Sequence, residues 1–417
     1  MNRIYRQITT KRSVIGDNFD KGVIDVDFSI GGKTVWIPSL SYFRIGMKLT
    51  KADGTSPILK SDDVTFANHA AGNLFDNVYF MAGGQTVSSI VNYAPQAGIA
   101  EYRLSKSGAW LNSVGKDAYG VCSDFEYRQM KTAVQDDADD VLVPVAQDVS
   151  QQNDVYFMYK PPIGIMSHNK PMASGDFRFQ FNPNSNYKHA CVQSKFAAKT
   201  PGTDYVLQIT SMELYICTEM MDVSPSGVTQ LKLTEHQVQS KPLQGVGDSN
   251  FDFTIQPSTK AISVFVQSGA AGSNTLCPPS LFAAATSVGD DTFYAQNSLR
   301  SLQLSYASIT KPPTRWTSEF SETQRKMQQR YLDTQIESGQ AFSSGGCETL
   351  QQWLDGGVLL HYSWVRDASD RATQLQLQCD FSNVEPGSNL FVVSHYTKEV
   401  DISTDQGYVT GVQARTI

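Results

Sequence analysis

The two halves of this chain close in the same way, and that repeat constrains the fold more than any other feature. Near the end of the first half runs Gly175-Asp176-Phe177-Arg178-Phe179-Gln180-Phe181, then a turn at Asn182-Pro183-Asn184. Tyr205-Val206-Leu207-Gln208-Ile209 follows and leads into Met212-Glu213-Leu214-Tyr215-Ile216-Cys217. Near the end of the second half runs Gln374-Leu375-Gln376-Leu377-Gln378-Cys379-Asp380-Phe381. A turn at Glu385-Pro386-Gly387-Ser388 precedes Leu390-Phe391-Val392-Val393-Ser394-His395-Tyr396. Each first segment alternates apolar and polar residues strictly, the period-two pattern of a strand with one buried face. A chain of two related β-domains is expected to be a building block before it is expected to be a catalyst.

The 417 residues exceed what one ordinary core organises, so two domains are expected. Charged residues make up 18%, below the roughly 25% of an average soluble protein. A surface short of charge favours coverage by partners in an obligate oligomer. The 18 Tyr and 21 Phe suit β-sheets, and a net charge of −7 argues against a nucleic-acid binder by bulk electrostatics.

The remaining pattern reads as strands. Val23–Ile30 alternates, Gly31-Gly32 reads as a hairpin-type turn, and Thr34–Pro38 and Tyr42–Leu49 follow. Leu74–Met81 and Thr86–Ile90 flank a turn at Ala82–Gln85, and Pro95 starts a helix that runs towards Gly108. Between about 107 and 172 the pattern loosens. The second half restarts at Thr229–Thr234, and a helix is expected from Glu322 to Ser338. Its signals are a Ser321/Gln324 capping box, Met327, Tyr331 and Ile336 near one face, and Gly339 as its stop. The expected fold is all-β: two tandem eight-stranded jelly-roll sandwiches with short helices in loops. The expected division is a basic arm over 1–20, a first roll over 21–222, a linker over 223–228 and a second roll over 229–417. The arm carries Arg3, Arg6, Lys11 and Arg12 and is expected to order only against something else.

Signatures of chemistry are missing from the sequence. It has no GxxxxGK[ST], no GxGxxG and no GxSxG. The six cysteines form no Cys-x-x-Cys, and those in strand patterns, Cys217 and Cys379, read as small buried hydrophobes. The acidic run Asp136, Asp137, Asp139 and Asp140 lacks the ligand alternation of an EF-hand and reads as an exposed loop. The six histidines never pair at i, i+2 or i, i+4, and His361 and His395 read as satisfied structural residues. No cofactor, metal site or catalytic set is expected. No Asn-x-Ser/Thr sequon, signal peptide or 18-residue apolar run occurs, so synthesis in a reducing cytoplasm without secretion is expected.

Two tandem jelly rolls, each with a helix in a loop, resemble the double jelly-roll major capsid proteins of tailless icosahedral double-stranded DNA viruses, of the virophage and polinton-like type. Asn73–Val87 is similar to their strand-turn-strand segment, as is Asn389–Tyr396 followed by Thr404-Asp405-Gln406-Gly407-Tyr408-Val409. The resemblance implies a homotrimer whose six rolls make a pseudo-hexagonal capsomer tiling a shell, within a virion. Neighbouring capsomers, penton and minor capsid proteins would be partners. The 107–172 and 267–297 stretches would be outer or inter-subunit loops. The arm would lie inside, in peripheral contact with an internal membrane or the genome. The trimer interface would be apolar and exceed ~2,000 Å². The 182–203 connection is longer than that over 382–389, which fits unequal positions of the two halves around the trimer. Outside this class stand a tandem jelly-roll glycan-binding module or spike, and a jelly-roll enzyme acting on glycans with two facing carboxylates.

Overall fold

The computed structural model describes residues 3–58, 62, 64–121, 154–172, 175–193, 199–221, 227–267, 298–306, 309–317, 323–343, 349–350, 353, 359–364, 373–384, 386–405 and 408–415. The acidic run at Asp136, Asp137, Asp139 and Asp140, the loop over 268–297, Ser321 and linker positions 223–226 lie outside them.

The first half contributes β1 (Arg3–Thr9), β2 (Ile24–Ile30), β3 (Thr34–Trp36), β4 (Tyr42–Lys51), β5 (Thr65–Phe66) and β6 (Phe75–Ala82). It continues with β7 (Gln85–Ile90), β8 (Val155–Tyr159), β9 (Gly175–Pro183), β10 (Val192–Gln193) and β11 (Tyr205–Met220). The second half contributes β12 (Gly227–Pro242), β13 (Gly247–Thr254), β14 (Thr259–Gln267), β15 (Ser298–Tyr306) and β16 (Ile309–Thr317). After them come β17 (Leu360–Ser363), β18 (Gln374–Asn383), β19 (Asn389–Asp405) and β20 (Tyr408–Arg415). Among the described residues the α-helices are α1 (Ala94–Ser105), α2 (Gly108–Trp110, continued by a wider helical stretch over Leu111–Tyr119), α3 (Tyr187–Ala190), α4 (Thr323–Glu337) and α5 (Gln340–Ser343).

The two halves match strand for strand. One sheet runs β1-β11-β4-β8 in the first half and β12-β19-β14-β17 in the second. The facing sheet runs β2-β9-β6-β7 in the first and β13-β18-β15-β16 in the second. This is the eight-stranded jelly roll, twice. The similar closing segments are β9 and β18, followed by β11 and β19. In both rolls the chain leaves one sheet at the first of these strands and enters the other at the second.

The alternation is explained by what each face meets. Phe177, Phe179 and Phe181 of β9 point inward to an aromatic cluster with Phe28, Trp36, Phe43 and Phe80. Arg178 between them points outward and grips Asp27 with two bonds of 2.7 and 3.1 Å. In β18 the inward residues Leu375, Leu377, Cys379 and Phe381 join a separate cluster with Leu302, Leu304, Tyr306 and Trp353. Cys217 and Cys379 are buried free thiols, as is Cys191.

Several expectations need correction. Residues 3–9 are not a free arm: they form β1, an edge strand paired to β11 from Arg3↔Glu219 to Thr9↔Glu213. Gly31-Gly32 is not a hairpin turn, because β2 pairs with β9 in one sheet and β3 with β11 in the other. Linker positions Gly227 and Val228 already belong to β12, opposite Thr404 and Ser403. The loose 107–172 stretch contains β8, which pairs with β4. Ile336 is exposed and lies off the buried face of α4. The long 182–203 connection is used locally, since it carries α3 and β10, and β10 pairs with β5.

Candidate assembly surfaces

The two rolls meet along a seam built from opposite sides of the jelly roll. The second roll offers the outer face of its β12-β19-β14-β17 sheet. Its Val238, Phe265, Phe391 and Val393 merge with the first roll's apolar cluster. The first roll offers the edge where β7 leads into α1. Asn92 and Tyr93 there take left-handed backbone angles (φ 60° and 57°), uncommon for residues other than glycine. Tyr93 meets Phe391 edge to face at 5.1 Å, and its hydroxyl accepts from Ser240 Oγ at 2.8 Å. Gln96 donates to Gln267 at 2.9 Å, and Lys398 Nζ donates to the Val87 carbonyl at 2.7 Å.

The β12–β19 ribbon and β20 reach further across the first roll, where Leu231, Leu233, Val400 and Ile402 are buried with its residues. Val409 of β20 occupies space that only glycine leaves open. A Cβ on Gly83 would stand 2.8 Å from Val409, and one on Gly175 would stand 2.6 Å away. Glu235 is 1% exposed within the seam. Its carboxylate accepts from Ser88 Oγ, which itself accepts from the Ile165 amide at 3.2 Å. Burial pushes the Glu235 carboxyl up to about 7, against the lowering pull of Ser88 and Lys398.

A row of three histidines crosses the second roll's sheet in the same seam. His236 on β12 stands opposite His395 on β19, with ring centroids 4.9 Å apart. Ser263 Oγ on β14 bridges His395 Nε2 at 2.7 Å and His361 Nδ1 at 2.9 Å. One hydroxyl has one proton, so it donates to one ring and accepts from the other. Glu101 of α1 lies 3.9 Å from His236 Nε2, and Thr334 of α4 accepts from the His361 amide at 3.3 Å. Burial lowers all three histidines: His361 to about 4, His236 against the raising effect of Glu101, and His395 further because both neighbours add to it. The rings are neutral at pH 7. Among the described residues no group of three or more His, Cys, Asp or Glu could hold a metal ion.

Among the described residues the matching sheet of the first roll leaves part of its outer face exposed. On its outer face Tyr42 stacks on Tyr215 at 5.4 Å, and Tyr5 lies 6.3 Å from Tyr42. The Arg44 guanidinium sits over Tyr156 and Tyr215 at 4.7 and 5.4 Å and pairs with Glu213 at 2.9 Å. Tyr5 is 51% and Tyr156 43% exposed. On α4 of the second roll Leu332 and Ile336 are exposed one turn apart, while Gln340 of α5 donates to the Leu104 carbonyl of the first roll at 2.6 Å.

The four basic residues read from the sequence have separate environments. Arg3 and Arg6 are exposed on β1, and Arg3 lies 4.0 Å from Glu219. Lys11 pairs with Asp27. Arg12 is committed to its own loop: it donates to the carbonyls of Ser13, Asn18, Phe19, Gly22 and Val23. Among the described residues no helix is long and apolar enough to cross a membrane.

No family model matches the chain, and no curated protein matches it by sequence. Solved structures do. A chain in the cryo-EM structure of the Sputnik virophage superposes with a TM-score of 0.61 at 10% identity, over 100% of this chain and 88% of that one. The mavirus major capsid protein gives 0.56 at 10% identity, over 99% of this chain and 90% of that one. The Faustovirus major capsid protein gives 0.52 at 10% identity, over 95% and 90%. At such identities the shared property is the fold, the double jelly roll of these viral major capsid proteins.

Proposed function

We propose that the chain is a structural capsid subunit. Three copies stand side by side, their six rolls form a pseudo-hexagonal capsomer, and capsomers tile an icosahedral shell. One observation carries this reading: two strand-for-strand equivalent rolls are packed laterally in one chain. Such a pair lets a three-fold assembly present a six-sided outline, and the fold is shared with the mavirus and Faustovirus major capsid proteins. The reading places the protein in the virion after synthesis in a host cytoplasm, beside penton and minor capsid proteins. Arg3 and Arg6 remain exposed for contact with an internal membrane or genome. A few such charges give only modest, salt-sensitive attraction.

Light scattering on the purified chain tests the reading. The expected mass is three times the 46.0 kDa subunit, held on dilution, with hexagonal outlines in electron micrographs. A monomer at micromolar concentration would overturn it.

A further inference from the structure

Two helices cover the outer side of the histidine row, one from each roll. α4 covers it at His361 and is tied to its own roll, since Glu337 pairs with Lys311 at 2.7 Å and accepts from Ser363. α1 comes from the first roll and touches the second along its length. Tyr93 at its cap meets Phe391, Gln96 donates to Gln267, Glu101 stands near His236, and the Leu104 carbonyl accepts from Gln340. α1 is fitted to the first roll by His69, which fills the space beside Gly98. On the other side of the row's sheet, Ile262, Val264, Leu360, Tyr362 and Val392 belong to the second roll's own apolar cluster. Water therefore reaches the row from the seam side, by way of α1.

We infer that the row is an acid-operated latch between the two rolls of one chain. Protonation lifts α1 from the second roll's sheet, and the rolls pivot about the contact of Val409 with Gly83 and Gly175 while each stays folded. The inference goes beyond the assembly reading and concerns a single chain. Its physical basis is crowding of charge: the rings stand 4.9 and 5.3 Å apart in a buried row, so a second proton is strongly repelled until water enters. The charged groups around the row are few. Glu101 faces His236, and Lys160 lies near Glu101 and Lys106. Glu337 and Lys311 face His361. Glu235 and Lys398 lie further along the ribbon, against Ser88 and Val87, and Glu235 is already neutral in acid. The pivot is remote from the row, since Val409 lies opposite Thr404, about 30 Å along β19 from His395 at the usual strand rise. The second roll's separate cluster keeps that roll folded when the seam opens.

Hydroxyl-radical footprinting of the full chain from neutral to acid pH tests this. Oxidation of Tyr93, Phe265 and Phe391 is expected to rise as pH falls below 6.5, about ten-fold per pH unit for each proton taken up. Phe179, Phe181, Tyr306 and Phe381 in the two cores should stay protected. Core oxidation in step with the seam means global unfolding and overturns the inference. So does a rise confined to Tyr331 and its neighbour Trp353 on the α4 side, or no rise at all. A combined His236→Gln, His361→Asn, His395→Gln variant keeps a polar nitrogen at each ring contact without taking up a proton, and it should stay shut in acid. Opening like wild type would show that the row is not the latch. Glu101→Gln covers the case in which that variant does not fold. Glu101 steadies a proton on His236 while the seam is shut, so its loss should move opening to higher pH. An unchanged or lower midpoint overturns the inference.

Discussion

Ser88 of the first roll donates a hydrogen bond to the Glu235 carboxylate of the second, inside a seam that leaves Glu235 1% exposed. The hydroxyl satisfies one oxygen, and burial holds the carboxyl at about 7. A carboxyl raised in the folded state contributes stability that is full below its ordinary value of 4.5 and is lost as pH rises through 7. The shift corresponds to about 3 kcal/mol at most. Glu235→Gln keeps an acceptor for Ser88 and removes the charge. Its Tm is expected to exceed wild type at pH 8 and to approach it near pH 4. Parallel Tm curves across that range would refute the assignment.

The histidine row pulls the other way. Burial lowers His236, His361 and His395, so their contribution is full above the ordinary value of 6.5. It is lost as pH falls towards about 4, the value for His361. Three imidazoles outweigh one carboxyl, so stability should fall below pH 6.5 in spite of Glu235. The nearby charged groups are Glu101 over His236, and Glu337 and Lys311 near His361. Hydrogen exchange at pH 5 should accelerate first in 231–238 and 391–396. Uniform acceleration across both rolls would contradict a seam-centred response.

Gly175 and Val409 should be energetically coupled. Gly175→Ala places a Cβ 2.6 Å from Val409, an overpacking that costs roughly 1–3 kcal/mol. Val409→Ala alone loses apolar burial. The double variant should lose less than the sum of the two, a coupling of at least ~0.5 kcal/mol in a double-mutant cycle by urea unfolding. Simple additivity would show that β20 does not bear on the first roll there.

Gly98 lies within α1, where alanine is normally better by about 1 kcal/mol. Here a Cβ would stand 2.6 Å from His69 Cε1, and His69 is fully enclosed, with its charge suppressed to a pKa of about 3. Gly98→Ala is therefore expected to destabilise, reversing the sign of helix propensity. A rise in Tm would mean that His69 can move aside.

Arg12→Lys separates a structural from an electrostatic role. The charge is kept, but the planar fork that reaches five carbonyls is lost. Limited proteolysis should cut within 13–23 in Arg12→Lys and spare wild type. Equal resistance would leave Arg12 as a simple surface charge.

The strands legible in the sequence are those with one wet face. In β9 and β18 each inward Phe or Leu is separated by an outward Arg, Gln or Asp, so burial writes itself as alternation. β1 is exposed on both faces from Arg3 to Gln7, and nothing in its composition records that its backbone is paired. β8 is nearly continuous in apolar residues, and β16 carries Pro312-Pro313, which an edge strand tolerates and a pattern search treats as a break. The seam is less legible still. His236, Ser263, His361 and His395 come from four strands, and only register makes them neighbours.

The pairing of Arg3 with Glu219 also sets an order of events during synthesis. Contacts of such sequence separation form slowly, because a long loop must close before any bond rewards it. The first roll's outer sheet cannot be completed until about 220 residues have emerged, and β1 waits unpaired through that interval. The second roll follows the same course from β12 to β19. Val409, which seals the rolls against Gly83 and Gly175, arrives after both. The contact of β20 with the first roll is therefore expected to be the last of the three to form, while β12, with Leu231, Leu233 and Val238, is available to dock on that roll much earlier.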